Sequence, residues 1–309
     1  MAFGDAYLTH PLVEADLPSE SWGFESTALD LAGGSYRFSG LSPAQAEWVR
    51  GRFEALCDAA PSAASAASGC STTVCRVPDG TFRELDTRGW EYTFDRDYRD
   101  DRLLLAGRDF VAEICFEPGP RARLWTSQAA PERFGNVFEN LVRVLVAYRV
   151  ACSGGVLLHS GAFARRGVAR VVFGRSGAGK STSSRVALEA GWEVLSDDMN
   201  ALLPAPDRWH VRKLPFAGDL GQTPTSGRSY AVAGLLWLEQ DTSHAVRPMP
   251  ESVALARLLS CAPIVNEDPF RVENLLGNLT NLLANNGVAT LHFAPDAGFL
   301  SLLEPDGGG

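Results

Sequence analysis

Residues 171–182 read VVFGRSGAGKST. Gly174, Gly179, Lys180 and Ser181 satisfy the phosphate-binding pattern G-x-x-x-x-G-K-S/T. The flanks are those the pattern requires. Residues 168–173 (VARVVF) read as a strand and residues 180–190 (KSTSSRVALEA) as a helix. Glycines let successive backbone N–H groups turn inward into an anion-binding nest. A helix amino terminus adds orphan donors and partial positive charge. The stretch therefore predicts a nucleotide-phosphate cradle made of Gly174, Arg175, Ser176, Gly177, Ala178, Gly179, Lys180, Ser181 and Thr182. Lys180 is expected to be a partly solvated charge that reaches the outer phosphates. Ser181 is expected to place its hydroxyl on Mg2+, and Thr182 to remain a helix-side hydroxyl.

Gly191 suits the residue just past a helix end. Residues 192–196 (WEVLS) then read as a short strand with Asp197 and Asp198 at its carboxyl end. In open α/β sheets ligands bind at that edge. Adjacent side chains on a regular strand face opposite ways, so joint action of both carboxylates needs a twist at the strand end. The expected division gives Asp197 the metal and Asp198 the proton of an attacking hydroxyl. The alternative is that one Asp caps the turn. Upstream, residues 155–164 (GVLLHSGAFA) and the turn at 165–167 (RRG) predict a β-hairpin over 155–173. That hairpin brings His159 beside the strand ending at Gly174. His159 is then either a core histidine in an apolar run or a member of the site.

The arrangement of His159, the loop 174–181 (GRSGAGKS) and residues 190–198 (AGWEVLSDD) resembles the HPr kinase/phosphorylase family. That family is related to the nucleotide domain of ATP-dependent phosphoenolpyruvate carboxykinase. The resemblance is clear over residues 154–200. It is looser to about residue 300, through 215–219 (PFAGD) and 234–238 (GLLWL). It implies an α/β fold: a P-loop nucleotide-binding domain of HPr kinase/phosphoenolpyruvate carboxykinase type with a smaller α+β N-terminal module. It also implies ATP and Mg2+ as cofactors, Asp198, His159 and Lys180 as catalytic residues, and Ser181 and Asp197 at the metal. No E-x-R-G segment follows the Asp pair, and no match to the signature region for the family's reverse reaction is found. A kinase-only relative, of the sort found beside peptide-modification genes, fits these departures. The expected reaction transfers the γ-phosphoryl group of ATP to a hydroxyl, chiefly a Ser of a protein or peptide. The alternatives are a small hydroxyl metabolite as acceptor, an NTPase switch, or a non-catalytic nucleotide-binding regulator.

The remaining sequence sets bounds. The 309 residues carry a formal net charge of −9, which argues against a general nucleic-acid surface. No signal-peptide pattern and no membrane-length apolar run is read, so the expectation is a cytoplasmic protein without a membrane partner. A homo-oligomer is compatible with the chain. The six cysteines contain no C-x-x-C pair and no zinc set, so reduced structural thiols are expected. Residues 1–130 are expected to form an α+β recognition or packing module, and residues 131–309 the nucleotide domain. In the first, Ser42-Pro43-Ala44-Gln45 predicts a capping box, 58–72 a loop, and 82–125 several antiparallel strands packed by Tyr92, Phe94 and Tyr98. In the second, 132–151 and 272–283 predict amphipathic helices. Residues 289–293 predict a strand with a structural His292, and 307–309 a frayed tail. The segment 205–229 predicts a loop whose Arg212, Lys213 or Arg228 could serve as a transition-state cation.

Overall fold

A computed structural model describes residues 3–14, 17–57, 69–85, 93–117, 120–216, 218–221 and 228–304. Tyr92, most of the expected loop 58–72, residues 222–227 and the tail 307–309 lie outside the described residues. The chain divides into two compact units, Met1–Val146 and Ala147–Gly309.

Among the described residues the first unit holds a seven-stranded sheet. Its strands are β1 (Glu25–Leu31), β2 (Gly34–Leu41), β3 (Cys70–Arg76), β4 (Phe94–Tyr98), β5 (Arg102–Gly107), β6 (Phe110–Cys115) and β7 (Arg121–Thr126). The order is β1-β2-β3-β7-β6-β5-β4. The run from β4 to β7 is the antiparallel meander expected over 82–125, whereas β3 pairs parallel with both β2 and β7. β3 begins at Cys70, inside the stretch expected as loop. Its Ser and Thr residues read as turn chemistry, but Cys70, Thr72 and Val74 alternate as a buried face.

Helix α1 (Pro43–Arg52) starts with the expected capping box. Gln45 N–H donates to Ser42 Oγ, and Ser42 N–H donates to Gln45 Oε1. Helix α2 (Pro131–Cys152) contains the residue pair at which the two units divide. In the first unit its Phe134 and Phe138 meet Trp48 and Phe53 of the α1 region at ring-centroid separations of 5.8 to 6.3 Å. Aromatic pairs of this kind contribute about 0.5–1.5 kcal/mol each beyond burial.

Among the described residues the second unit holds an eight-stranded sheet with helices. The hairpin β8 (Val156–Arg165) and β9 (Val168–Phe173) is antiparallel, as expected, with Ser160 opposite Phe173. The chain continues through α3 (Lys180–Glu189), β10 (Glu193–Ser196), β11 (Met199–Pro204), β12 (Trp209–Lys213), β13 (Ser229–Gln240) and β14 (Ala245–Pro248). Helices α4 (Glu251–Ser260) and α5 (Val272–Asn286) precede β15 (Ala289–Phe293). β13 runs parallel to both β9 and β15. The pairings β9–β8–β11–β12–β13–β9 close on themselves.

Phe163, Val172, Ala187, Trp192, Leu236, Phe293 and Phe299 form the core beneath α3. Helix α5 buries Leu275, Leu279, Leu282 and Leu283. The expected loop 205–229 is corrected by β12. There Trp209, Val211 and Lys213 are the buried face, and Lys213 Nζ donates to Val194 O at 3.5 Å. A lysine stem is apolar and packs as such, which charge-based reading discounts. No helix among the described residues is long and apolar enough to cross a membrane.

Candidate functional site

The loop between β9 and α3 is shaped by glycine at two positions. Gly177 has φ +76° and Gly179 φ +104°, where other residues are strained. A Cβ on Gly179 would also lie 2.7 Å from Phe293 Cζ. The turn closes with Ala178 N–H donating to Arg175 O at 3.0 Å. From the neighbouring strand, Gln240 Nε2 donates to Gly177 O at 2.9 Å.

Lys180 opens α3 and folds back across the loop. Its Nζ donates to Gly174 O at 3.2 Å and to Arg175 O at 3.4 Å. The expectation of a partly solvated charge is corrected here, because Lys180 is only 7% exposed. Burial holds the ammonium pKa below the ordinary lysine value, partly offset by Cys261, Asp198 and Asp219.

Asp197 and Asp198 occupy the turn between β10 and β11, and both line one cleft. Ser196 makes that possible. Its buried Oγ accepts from Asp198 N–H at 3.1 Å and from Met199 N–H at 3.2 Å. The turn is capped by the serine, which leaves the carboxylates free of that task. Asp197 is 4% exposed, and its Oδ2 accepts from Leu220 N–H at 3.3 Å. Gly218 lies against this pair. A Cβ there would fall on Asp197 Oδ1 and within 3.1 Å of Asp198 Cβ.

We expect Ser196→Ala to lower stability by about 1–3 kcal/mol, since two amide donors lose their acceptor in a buried turn. Urea unfolding checks this. Ser196→Thr, which keeps the hydroxyl, should retain most of the lost stability.

His159 projects from β8 opposite Met199. Its backbone N–H donates to Cys261 O at 2.7 Å. Its Nδ1 lies 3.3 Å from Asp198 Oδ1, and its side chain is 44% exposed. The ring therefore faces the cleft and is not sealed in the core.

The cleft is about 320 Å3 and is lined by His159, Ser176, Gly177, Gly179, Lys180, Ser181, Thr182, Asp197, Asp198, Gly218, Asp219 and Gln240. Of the residues expected at the phosphates, Arg175 and Ala178 line an adjacent cleft instead, and Gly174 lines neither. A Cβ on Gly174 would lie 2.8 Å from Ala178 Cβ. Arg212, Lys213 and Arg228 do not line the cleft.

Sequence reasoning missed Asp219, Gln240, Ser196 and Cys261. Asp219 accepts a hydrogen bond from Ser181 Oγ at 2.9 Å. Cys261 Sγ approaches Gly174 O at 3.9 Å. Only Gly218-Asp219 had a signal, as part of the 215–219 stretch.

Among the described residues no three His, Cys, Asp or Glu side chains gather closely enough to cage a metal ion. Mg2+ does not need such a cage. It is commonly held by one or two protein oxygens together with substrate phosphates and water. Ser181 and Asp197 present hard oxygen donors to the same cleft, with Asp219 beside Ser181. The donor set fits an ion that arrives with a phosphate ligand.

A family model described as SynChlorMet cassette protein ScmC matches residues 132–279, just under half of the chain. The matched stretch is similar to that family and includes His159, the glycine loop, both aspartates of the pair and Gln240. No curated protein matches the chain.

Proposed function

We propose that residues 147–309 act as a P-loop nucleotide-binding unit that transfers the γ-phosphoryl group of ATP, with Mg2+, to a hydroxyl. A Ser of a protein or peptide is the acceptor this reading favours. The observation that carries it is convergence. His159 from β8, Lys180 and Ser181 from α3, and Asp197 and Asp198 from the β10–β11 turn line one cleft, with His159 Nδ1 and Asp198 Oδ1 3.3 Å apart.

Phosphoryl transfer asks a protein mainly for positioning and charge stabilisation. Lys180 and the loop N–H groups meet the phosphates. Ser181 and Asp197 would hold Mg2+, which neutralises charge on the outer phosphates. Asp198 accepts the proton of the attacking hydroxyl as its oxygen bonds to the γ-phosphorus and the bond from that phosphorus to the bridging oxygen breaks, releasing ADP. His159 holds the Asp198 carboxylate in place through its Nδ1. Lys180 is buried and already hydrogen-bonded to loop carbonyls, so it reaches phosphate by exchanging those bonds.

Incubating the chain with γ-labelled ATP and fractionated cell extract tests the reading. Label on an acceptor supports the kinase. Label only on inorganic phosphate favours an NTPase switch. Binding without turnover favours a regulator, and absence of ATP binding ends the nucleotide reading.

A further inference from the structure

A second cleft of about 390 Å3 lies on the other flank of the glycine loop, lined in part by Arg175, Trp237, Glu239 and Arg257. It shares Ser176, Gly177 and Gln240 with the first cleft. The chemistry of the two differs sharply. The first holds His159 and the carboxylates Asp197, Asp198 and Asp219, while the second is built on a cation over an aromatic ring. The Arg257 guanidinium lies over the Trp237 ring, 4.4 Å from its centroid. Its Nη2 donates to Glu239 Oε1 at 3.3 Å, and its Nη1 lies 3.9 Å from Met249 Sδ. Trp237 is 5% exposed, so the guanidinium covers the indole and not the reverse. Strand order explains the two sides. β13 pairs parallel with β9, with Trp237 opposite Phe173, so β9 stands between residues 237–240, which continue in the sheet beside β15, and β8, the strand that pairs with β10 just before the Asp pair.

A nucleoside triphosphate is longer than its phosphate chain. If the γ-phosphate lies toward Asp198 and His159, the nucleoside must extend to another flank of the loop. We propose that the second cleft takes that nucleoside: the base stacks on the Arg257 guanidinium, backed by Trp237, and Glu239 accepts a hydrogen bond from the base's exocyclic amino group, favouring adenine over uracil. This rests on the nucleotide reading above and adds the residues that choose the base. A guanidinium lying over an aromatic ring on one side can offer a base its other face, as stacking on arginine planes does elsewhere. A carboxylate accepts and cannot donate when ionised, so it rewards an amino group and rejects a carbonyl.

The test is calorimetric titration of the full chain with Mg2+ and ATP, UTP or inorganic tripolyphosphate. The wild type should bind ATP more tightly than either of the others. Arg257→Ala should weaken ATP about tenfold, the scale of one lost base-stacking contact, and leave tripolyphosphate unchanged. Arg257→Lys keeps the charge and loses the plane, so it should resemble Arg257→Ala. Glu239→Gln should narrow the preference of ATP over UTP. Unaltered ATP binding in Arg257→Ala overturns the proposal. So does an equal fall for ATP and tripolyphosphate, or rescue by lysine, either of which would make Arg257 a phosphate charge. Thermal melting of each variant identifies one that has failed to fold, and Arg257→Lys then decides. If the wild type binds neither ATP nor tripolyphosphate, the nucleotide reading itself fails. If it binds both equally, only the base site fails.

Discussion

Asp198→Asn is expected to slow phosphoryl transfer by about 10²- to 10⁴-fold, the usual contribution of a positioned general base. The substitution keeps the shape of the side chain and removes the oxygen that takes the proton. Nucleotide affinity should change little, because the proposed mechanism gives Asp198 to the acceptor hydroxyl and the phosphates to the loop. Single-turnover consumption of labelled ATP, read beside calorimetric ATP affinity, separates the two effects. His159→Ala should cost less, since the proposed role of His159 is to hold the carboxylate 3.3 Å away. The double variant should be no slower than Asp198→Asn, as residues acting as a unit are not additive. A double variant slower by the product of both losses would give His159 a separate role. Full activity in Asp198→Asn would remove Asp198 from the chemistry.

Lys180→Ala should lower turnover by about 10²- to 10³-fold, the loss typical of one preorganised donor at developing charge. It should leave the fold intact. The charged ammonium is disfavoured by burial, so the folded-state pKa lies below the unfolded one. Between those two values the unfolded chain binds more protons, and stability therefore rises with pH across that window. Lys180→Ala should remove that slope, which paired urea titrations from neutral pH to about pH 10 would detect, the upper end being near the ordinary lysine pKa. Nucleotide binding carries the opposite sign. A bound phosphate favours the ammonium, so ATP affinity should fall as pH rises through the same window in the wild type and not in Lys180→Ala. A wild type whose ATP affinity holds constant through that range would remove Lys180 from the phosphates.

Consecutive elements were legible in the residues themselves. The hairpin over 155–173, the helix after the glycine loop and the strand before the Asp pair follow from short-range pattern, with each element next to the one it packs on. Local spacing therefore placed His159, Lys180, Ser181, Asp197 and Asp198 near one sheet edge. The tertiary structure decided the rest. Gln240 reaches Gly177 from a chain separation of 63 residues, and Asp219 reaches Ser181 across 38. Separations of that size carry no period, and the 215–219 stretch marks Asp219 without naming its partner. They depend on β13 lying beside β9 and on Gly218 lacking a side chain where Asp197 stands. The state of a charge is likewise a property of its surroundings. The letter for lysine at 180 promises a cation reaching into water, and 213 looks like another. Burial against carbonyl oxygens makes the first a loop strut and the second part of a strand's packed face. Even the joint aim of two adjacent aspartates, which a regular strand forbids, depended on one serine hydroxyl turning the backbone after β10.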